Sequence, residues 1–314
     1  MKIVILGAGG MGCRFALSFK KSGAEVVLCD VWKDHVDAIN ANGLKVVEGS
    51  DTSFVPIEAT TDINTINDID AVVVFTKSNH TEVAIKSALD AIGPDTPVIT
   101  FQNGLGNIKI LEKYVGTENV IAGVTDYATS LLAPGTVDVE GKGYTKLMAL
   151  DKKQEEMSLE ICRLLKDSGM NCSISDDIMK IVWEKVGFNC AMNSITALTR
   201  QRVMYMGGNE YGFGLCSKIA KEVSAVALAE GINFDYDAVV AKYKKVLDPN
   251  ESGEHITSML QDVLKEKPTE IDSICGAVIQ LGKERCIPTP HLDTVYALIK
   301  IVEINYDHQV RVEK

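Results

Sequence analysis

Apolar residues run unbroken through Ile3-Val4-Ile5-Leu6 and stop at Gly7-Ala8-Gly9-Gly10-Met11-Gly12, a pattern that predicts a buried strand, a glycine turn and a helix over 13–21. Gly23 can close that helix, and a second apolar run, Glu25-Val26-Val27-Leu28-Cys29, ends in Asp30. Strand-like runs recur at 71–75, 97–101, 120–123 and 145–150, with helical stretches such as 81–92 between the earlier ones. This alternation predicts an α/β chain whose first part is a Rossmann-type, doubly wound parallel sheet. Around Pro134-Gly135 the pattern changes to short strands, 136–140 and then 145–150, expected to add an antiparallel edge. From Glu155 onward the periodicity is helical almost to the end. The expected division is therefore a Rossmann-type dinucleotide-binding domain over 1–174 and an all-α substrate domain over 175–314, with Ser175 as candidate N-cap of the first helix. A length of 314 residues exceeds what one core usually supports and agrees with two domains.

Within the apolar segment 178–198, Lys185, Asn189 and Asn193 recur at four-residue spacing. Side chains at i, i+4 and i+8 share one helix face, so an ammonium and two amides would project together from a largely buried helix. Two readings follow: a ligand site, or a lysine that reaches solvent beside two amides satisfying backbone groups. A ligand at the carboxyl ends of the sheet strands is expected to face the helical domain.

The glycine turn favours the first reading. Gly7 permits the tight turn, Gly9 lets backbone amides approach a pyrophosphate, Gly12 lets the helix pack close, and Ala8, Gly10 and Met11 supply the rest of the loop. Asp30 falls at the spacing of a carboxylate that binds the adenosine ribose hydroxyls. Two more loops, Thr76-Lys77 and Gln102-Asn103-Gly104-Leu105-Gly106, open at strand ends on the same side. Asn103 can offer donors and an acceptor to a nicotinamide or substrate, although Asn-Gly is also ordinary turn chemistry. Further on, Pro268 breaks one helix and Thr269 can cap the next. By local sequence Ser258 and Glu270 read as helix-start residues.

Composition narrows the function classes. A net charge of −11 argues against nucleic-acid or anionic-membrane binding, while local lysines can still attract an acidic substrate. The eight cysteines form no CxxC pair and fit a reduced core. The five histidines show no HxH or HExxH spacing, so no metal is expected. No apolar run is long enough to span a bilayer, and with a strand at residues 2–6 no leader is expected, which places the chain in the cytoplasm. Apolar helices such as 219–228 can pair in a homodimer or pack within one chain; the pattern does not separate these. Gly207-Gly208-Asn209 reads as a turn and 307–314 as a solvated end.

Together these segments resemble the ketopantoate reductase (2-dehydropantoate 2-reductase) family over essentially the whole chain. The specific parts are Trp183-Glu184-Lys185 with Asn189-Cys190 and Asn193, the loop Gln102-Asn103-Gly104-Leu105-Gly106, and Ser258-Met259-Leu260-Gln261-Asp262 followed by Thr269-Glu270-Ile271-Asp272. The resemblance implies reduction of a 2-oxo acid to the (R)-2-hydroxy acid with NAD(P)H. It implies Lys185 as proton donor, substrate contacts at Asn103, Asn189, Asn193 and Ser258, and contacts to the cofactor or reacting end at Lys77, Asn103, Ala128 and Glu270. Two departures stand out. Many members carry a basic residue for the 2′-phosphate of NADPH where this chain has Cys29-Asp30-Val31; Asp30 would repel that phosphate, so NADH is the expected preference, with Lys33 a partial rescue for NADPH. The family often has a substrate-contacting asparagine after the stripe, where this chain reads Thr199-Arg200-Gln201-Arg202-Val203. Both lean towards the NAD-dependent D-2-hydroxyacid dehydrogenases of the same family, which act on branched or aromatic 2-oxo acids. β-Hydroxyacid dehydrogenases share the glycine loop and the lysine and asparagine one turn apart, but the Ser258 and Glu270 segments argue against them. A non-catalytic dinucleotide-binding redox sensor is the alternative of another class, and it leaves the stripe without a task.

Overall fold

Ile3, Val4 and Ile5 are fully buried in strand β1 (Lys2–Leu6), as a strand covered on both faces requires. The computed structural model describes residues 1–139, 141–207, 210–247 and 255–310. β1 pairs in parallel with β2 (Glu25–Cys29) on one side and with β6 (Ala71–Val74) on the other, Val4 lying level with Val27 and Val72. Beyond β2 stands β5 (Glu58–Thr60); beyond β6 stand β7 (Val98–Thr100), β8 (Val120–Thr125), β11 (Thr145–Ala149) and β12 (Cys172–Ile174). Helices α1 (Gly10–Lys21), α2 (Lys33–Asn42), α3 (Thr81–Ala88), α4 (Gly106–Val115) and α5 (Glu155–Asp167) belong to the same unit. The chain leaves β1 through α1 for β2 and later returns to β6 on the other side. The strand order therefore reverses at the carboxyl ends of β1 and β6, where open α/β sheets bind ligands. Phe15 of α1 packs on Phe75 and Phe101, ring centroids 4.7 and 4.8 Å away, and anchors the helix to the sheet.

The expected antiparallel edge needs correction. β11 runs antiparallel to β8 but lies inside the sheet, covered by β12, which pairs with it in parallel. Residues 136–138 leave the main sheet altogether. As β10 (Thr136–Asp138) they join a second, four-stranded sheet with β3 (Leu44–Glu48), β4 (Asp51–Val55) and β9 (Ser130–Ala133), in the order β4-β3-β10-β9. The cause is the turn at Gly135, whose φ of +68° folds β10 back on β9 while its N–H donates to His35 Nδ1 at 2.9 Å. Glu140, which ended the expected strand, lies outside the described residues, as do Gly208, Asn209 and residues 311–314.

The chain divides into two compact units, Met1–Gln102 with Gly106–Ile178, and Asn103–Leu105 with Met179–Lys314. The division falls four residues beyond the expected 174–175, because β12 pairs with β11 and Ser175 N–H donates to Leu147 O at 2.9 Å. Ser175 is also not the cap residue. Asp177 immediately precedes α6 (Ile178–Thr199), and the Ser175 hydroxyl accepts the Asp177 N–H at 3.2 Å.

The second unit contains α6, α7 (Met204–Gly207), α8 (Glu210–Ala229), α9 (Tyr236–Val246), α10 (Ser258–Leu264), a π-helical turn (Asp272–Gly276), α11 (Ala277–Glu284) and α12 (Pro290–Ile304). Helix α6 is apolar around most of its circumference, which suits a central helix. Gly187 gives it room: a Cβ there would stand 2.9 Å from the Phe234 ring. The fully buried Tyr243 hydroxyl donates to Gly187 O at 2.7 Å, and burial pushes its pKa well above the usual range. Among the described residues no helix is long and apolar enough to cross a membrane.

Candidate active site

Four glycines shape the end of β1. Gly7 adopts φ +96°, and a Cβ there would lie 2.6 Å from Thr76 N. At Gly12 it would lie 2.0 Å from Gly7 O, and at Gly10 2.5 Å from Thr129 O, whereas Gly9 faces open space. Helix α1 begins at Gly10 with no acidic residue in its first turn, so its leading amides present positive potential to an anion. Asp30 Oδ2 accepts Ala8 N–H at 2.7 Å and Oδ1 accepts Trp32 N–H at 2.9 Å, which fixes a carboxylate at the carboxyl end of β2. Val31 beside it is 93% exposed and offers no charge. The Lys33 ammonium pairs with Asp37, which reduces what it can give a phosphate. A backbone cradle that a Cβ would fill, beside a fixed carboxylate, fits the pyrophosphate and ribose of a dinucleotide.

Other candidate positions of this unit lie at the same strand ends. Lys77 is exposed in the segment after β6. Gln102, whose role the motif alone did not suggest, donates from Nε2 to Thr76 O at 2.6 Å and to Thr81 Oγ1 at 2.8 Å, tying the end of β7 to that of β6. Ala128 follows β8; its carbonyl accepts from Arg14 Nη1 at 2.7 Å. Arg14 reads in the sequence as an ordinary helix residue, so nothing there signalled this contact.

In the helical unit, α6 carries Lys185 half-buried and Asn189 and Asn193 at 7% and 5% exposure. Among the described residues neither side-chain amide has a hydrogen-bond partner. Ser258 is exposed and opens α10, whose cap is Thr257; the Thr257 hydroxyl meets Thr196 Oγ1 at 2.7 Å, joining that helix start to α6 three residues past Asn193. Glu270 is half-buried, and Thr269 Oγ1 accepts Ile271 N–H at 3.1 Å. The π-helical turn after Glu270 makes two further links. Cys275 Sγ donates to Cys190 O at 3.7 Å, next to Asn189, and Ser273 O accepts Leu105 N–H at 3.1 Å, which holds the Asn103-Gly104-Leu105 loop. These bonds connect the segments bearing Asn103, Asn189, Asn193, Ser258 and Glu270 within one unit. The sequence showed the segments but not the links, since Thr196, Thr257 and Ser273 look like routine helix polar residues. Among the described residues no group of His, Cys, Asp or Glu could hold a metal ion.

Comparison with known proteins follows the same division. Residues 3–152 match the family model described as ketopantoate reductase PanE/ApbA, and residues 177–303 match its C-terminal companion. The chain is similar to the 2-dehydropantoate 2-reductase of Lactococcus lactis subsp. lactis (strain IL1403), 32% identical over 302 residues, covering 95% of this chain and 97% of that one. Among solved structures, a ternary structure of D-mandelate dehydrogenase with NADH and anilino(oxo)acetate superposes with a TM-score of 0.93 at 32% identity, covering 98% of this chain and all of that one (100%). A PanE/ApbA family ketopantoate reductase from Ralstonia eutropha JMP134 superposes with a TM-score of 0.89 at 27% identity, covering 98% and 100%.

Proposed function

Because the chain belongs to the ketopantoate reductase family, we propose that it reduces a 2-oxo acid, first of all 2-dehydropantoate, to the (R)-2-hydroxy acid with a nicotinamide cofactor. The observation that carries this reading is the polar stripe that Lys185, Asn189 and Asn193 share on one face of helix α6, in a chain that also has the glycine cradle and Asp30. When bound, the reduced nicotinamide supplies a hydride to the carbonyl carbon. The chain's own residues must then place the oxo acid and manage the charge that develops on oxygen. Lys185 does both tasks at that oxygen: its ammonium stabilises the forming alkoxide and gives it a proton. Asn103 and Asn193 orient the carbonyl, and Asn189 and Ser258 hold the remainder of the substrate. Gly7, Ala8, Gly9, Gly10, Met11 and Gly12 cradle the pyrophosphate, Asp30 takes the ribose hydroxyls, and Lys77, Ala128 and Glu270 serve the cofactor or the reacting end.

Asp30 also sets the cofactor preference in this reading. A fixed carboxylate repels a 2′-phosphate, Val31 supplies no compensating charge, and Lys33 is engaged by Asp37. NADH should exceed NADPH in kcat/KM by about tenfold or more. A second substrate reading, a D-2-hydroxyacid dehydrogenase for branched or aromatic 2-oxo acids, is favoured by the superposition on D-mandelate dehydrogenase at a TM-score of 0.93. One experiment separates the two. Initial rates of NADH and NADPH oxidation are measured with ketopantoate, 2-oxoisovalerate, 2-oxoisocaproate and phenylglyoxylate, with Lys185→Ala as control. A wide margin for ketopantoate supports the first reading and a margin for phenylglyoxylate or a branched acid the second. Wild-type turnover by Lys185→Ala at saturating substrate would refute the proton-donor role.

A further inference from the structure

We propose that Arg14 is a positioning residue for the cofactor: from α1 its guanidinium holds the Tyr127-Ala128-Thr129 loop at the height over the glycine turn at which Ala128 meets the nicotinamide end. This rests on the cofactor reading above, and the bonds that carry it lie within the first unit. Arg14 is 8% exposed. Its Nη1 donates to Ala128 O at 2.7 Å, its Nη2 donates to Gly141 O at 3.0 Å, and its guanidinium carbon lies 4.4 Å from the centre of the Tyr127 ring. Two donors in a rigid fork and a stacked face use the features that distinguish arginine from lysine.

The loop is fixed on the far side of Ala128 as well. Gly10 lies so close beneath it that a Cβ would stand 2.5 Å from Thr129 O and 3.4 Å from Leu131 N. Ahead of Ala128, the Tyr127 hydroxyl accepts Asn171 N–H at 2.8 Å. Ala128 is thus suspended between two fixed neighbours, and its own carbonyl accepts from Arg14 Nη1 at 2.7 Å, the bond that ties it to α1, and from the adjacent Thr129 hydroxyl at 2.7 Å within the loop. Hydrogen bonds from a charged guanidinium are stronger than neutral ones, so they direct the carbonyls that accept them. Helix α1 therefore serves the dinucleotide twice: its amino end faces the pyrophosphate, and its second turn sets the roof.

The test compares two ligands that share the ADP-ribose moiety. Dissociation constants for NADH and for ADP-ribose are measured on the wild type, Arg14→Lys and Arg14→Met, with melting temperatures as a check on folding. Arg14→Lys retains the charge and loses the fork, and it carries the test if Arg14→Met does not fold. The expected result is NADH weakened about tenfold, the effect of losing one charge-assisted hydrogen bond, with ADP-ribose changed less than about twofold. Equal weakening of both ligands would show a merely structural role, and unchanged NADH binding would show no role; either overturns the proposal. A wild type that binds neither ligand would refute the cofactor reading itself, and this inference with it.

Discussion

Replacing Gly104 with alanine tests whether the seat of the 103–105 loop on the π-helical turn controls turnover. Gly104 adopts φ +91°, a region that costs a non-glycine residue about 1–2 kcal/mol. A Cβ would also stand 2.5 Å from Ser273 O and 2.9 Å from Ser273 C and Cβ. These atoms are backbone or bonded directly to it, so no side-chain rotation relieves the clash. Ordinary contact begins at 3.4 Å, which requires the loop to retreat by about 0.9 Å. The same retreat stretches the 3.1 Å bond from Leu105 N–H to Ser273 O beyond hydrogen-bonding distance, a further loss of about 1 kcal/mol. The sum, about 2–3 kcal/mol, should lower the melting temperature of a chain of 314 residues by about 3–5 °C. Asn103 moves with the loop, and if it orients the carbonyl as proposed, a displacement near 1 Å reduces turnover by up to about 100-fold. The assay is kcat at saturating NADH and 2-oxo acid, beside the ADP-ribose dissociation constant, which should hold because the glycine turn is untouched. A folded Gly104→Ala protein with wild-type kcat would refute the argument that Ser273 sets the position of Asn103.

Three further outcomes are expected. The Glu222 carboxylate, 9% exposed, accepts His291 N–H at 3.0 Å and Leu292 N–H at 2.9 Å and meets His291 Nδ1 at 2.6 Å, so it closes the first turn of α12. Glu222→Ala strands these donors and should cost about 3–5 kcal/mol, and Glu222→Gln, which keeps one acceptor, about 1–2, in urea denaturation; a cost below 1 kcal/mol for the alanine variant would contradict the cap. His35 is fully buried, and desolvation holds its pKa below the usual value against the pull of Asp30. The unfolded chain binds a proton near pH 6.5, so stability from neutral His35 is complete above that pH and is lost as pH falls towards the lower folded-state pKa. His35→Asn should flatten the decline of the urea midpoint between about pH 6.5 and 5, and an unchanged slope would exclude His35 as its source. Seven of the eight cysteines are buried, with burial pushing Cys29 up to about 11 and Cys216 to about 12, while Cys286 is exposed. An aromatic disulfide reagent should therefore label one thiol in the native protein and eight in urea, and Cys286→Ser should abolish the native reaction.

The features legible in the sequence were those in which neighbours along the chain determine the outcome. The run from Ile3 to Gly12 is a strand, a tight turn and a helix because its burial and its φ requirement are local, and Asp30 follows at the end of the next strand for the same reason. The apolar segment carrying Lys185, Asn189 and Asn193 is helical over almost the expected span because its length alone excludes a strand. The second sheet could not be read this way. β3 and β10 pair across some ninety positions, Val46 with Val137, each strand is five residues or fewer, and β4 shows no alternation of buried and exposed residues. Its register depends on the Gly135 turn and on His35, which is one hundred residues away and whose ring nitrogen receives that turn's amide. Arg14 belongs to the same class. On a helical wheel it is a helix former like any other, and only the folded chain brings Ala128 and Gly141, 114 and 127 residues distant, to its guanidinium. Motifs therefore point to candidate ligand contacts, because contact chemistry restricts residue type locally. The residues that hold those motifs in place are chosen by long-range geometry, and many residue types in the sequence look equally able to do it. For this chain Arg14, Gln102 and Ser273 are of the second kind, so mutagenesis confined to the motif residues would leave the supports of the candidate site untested.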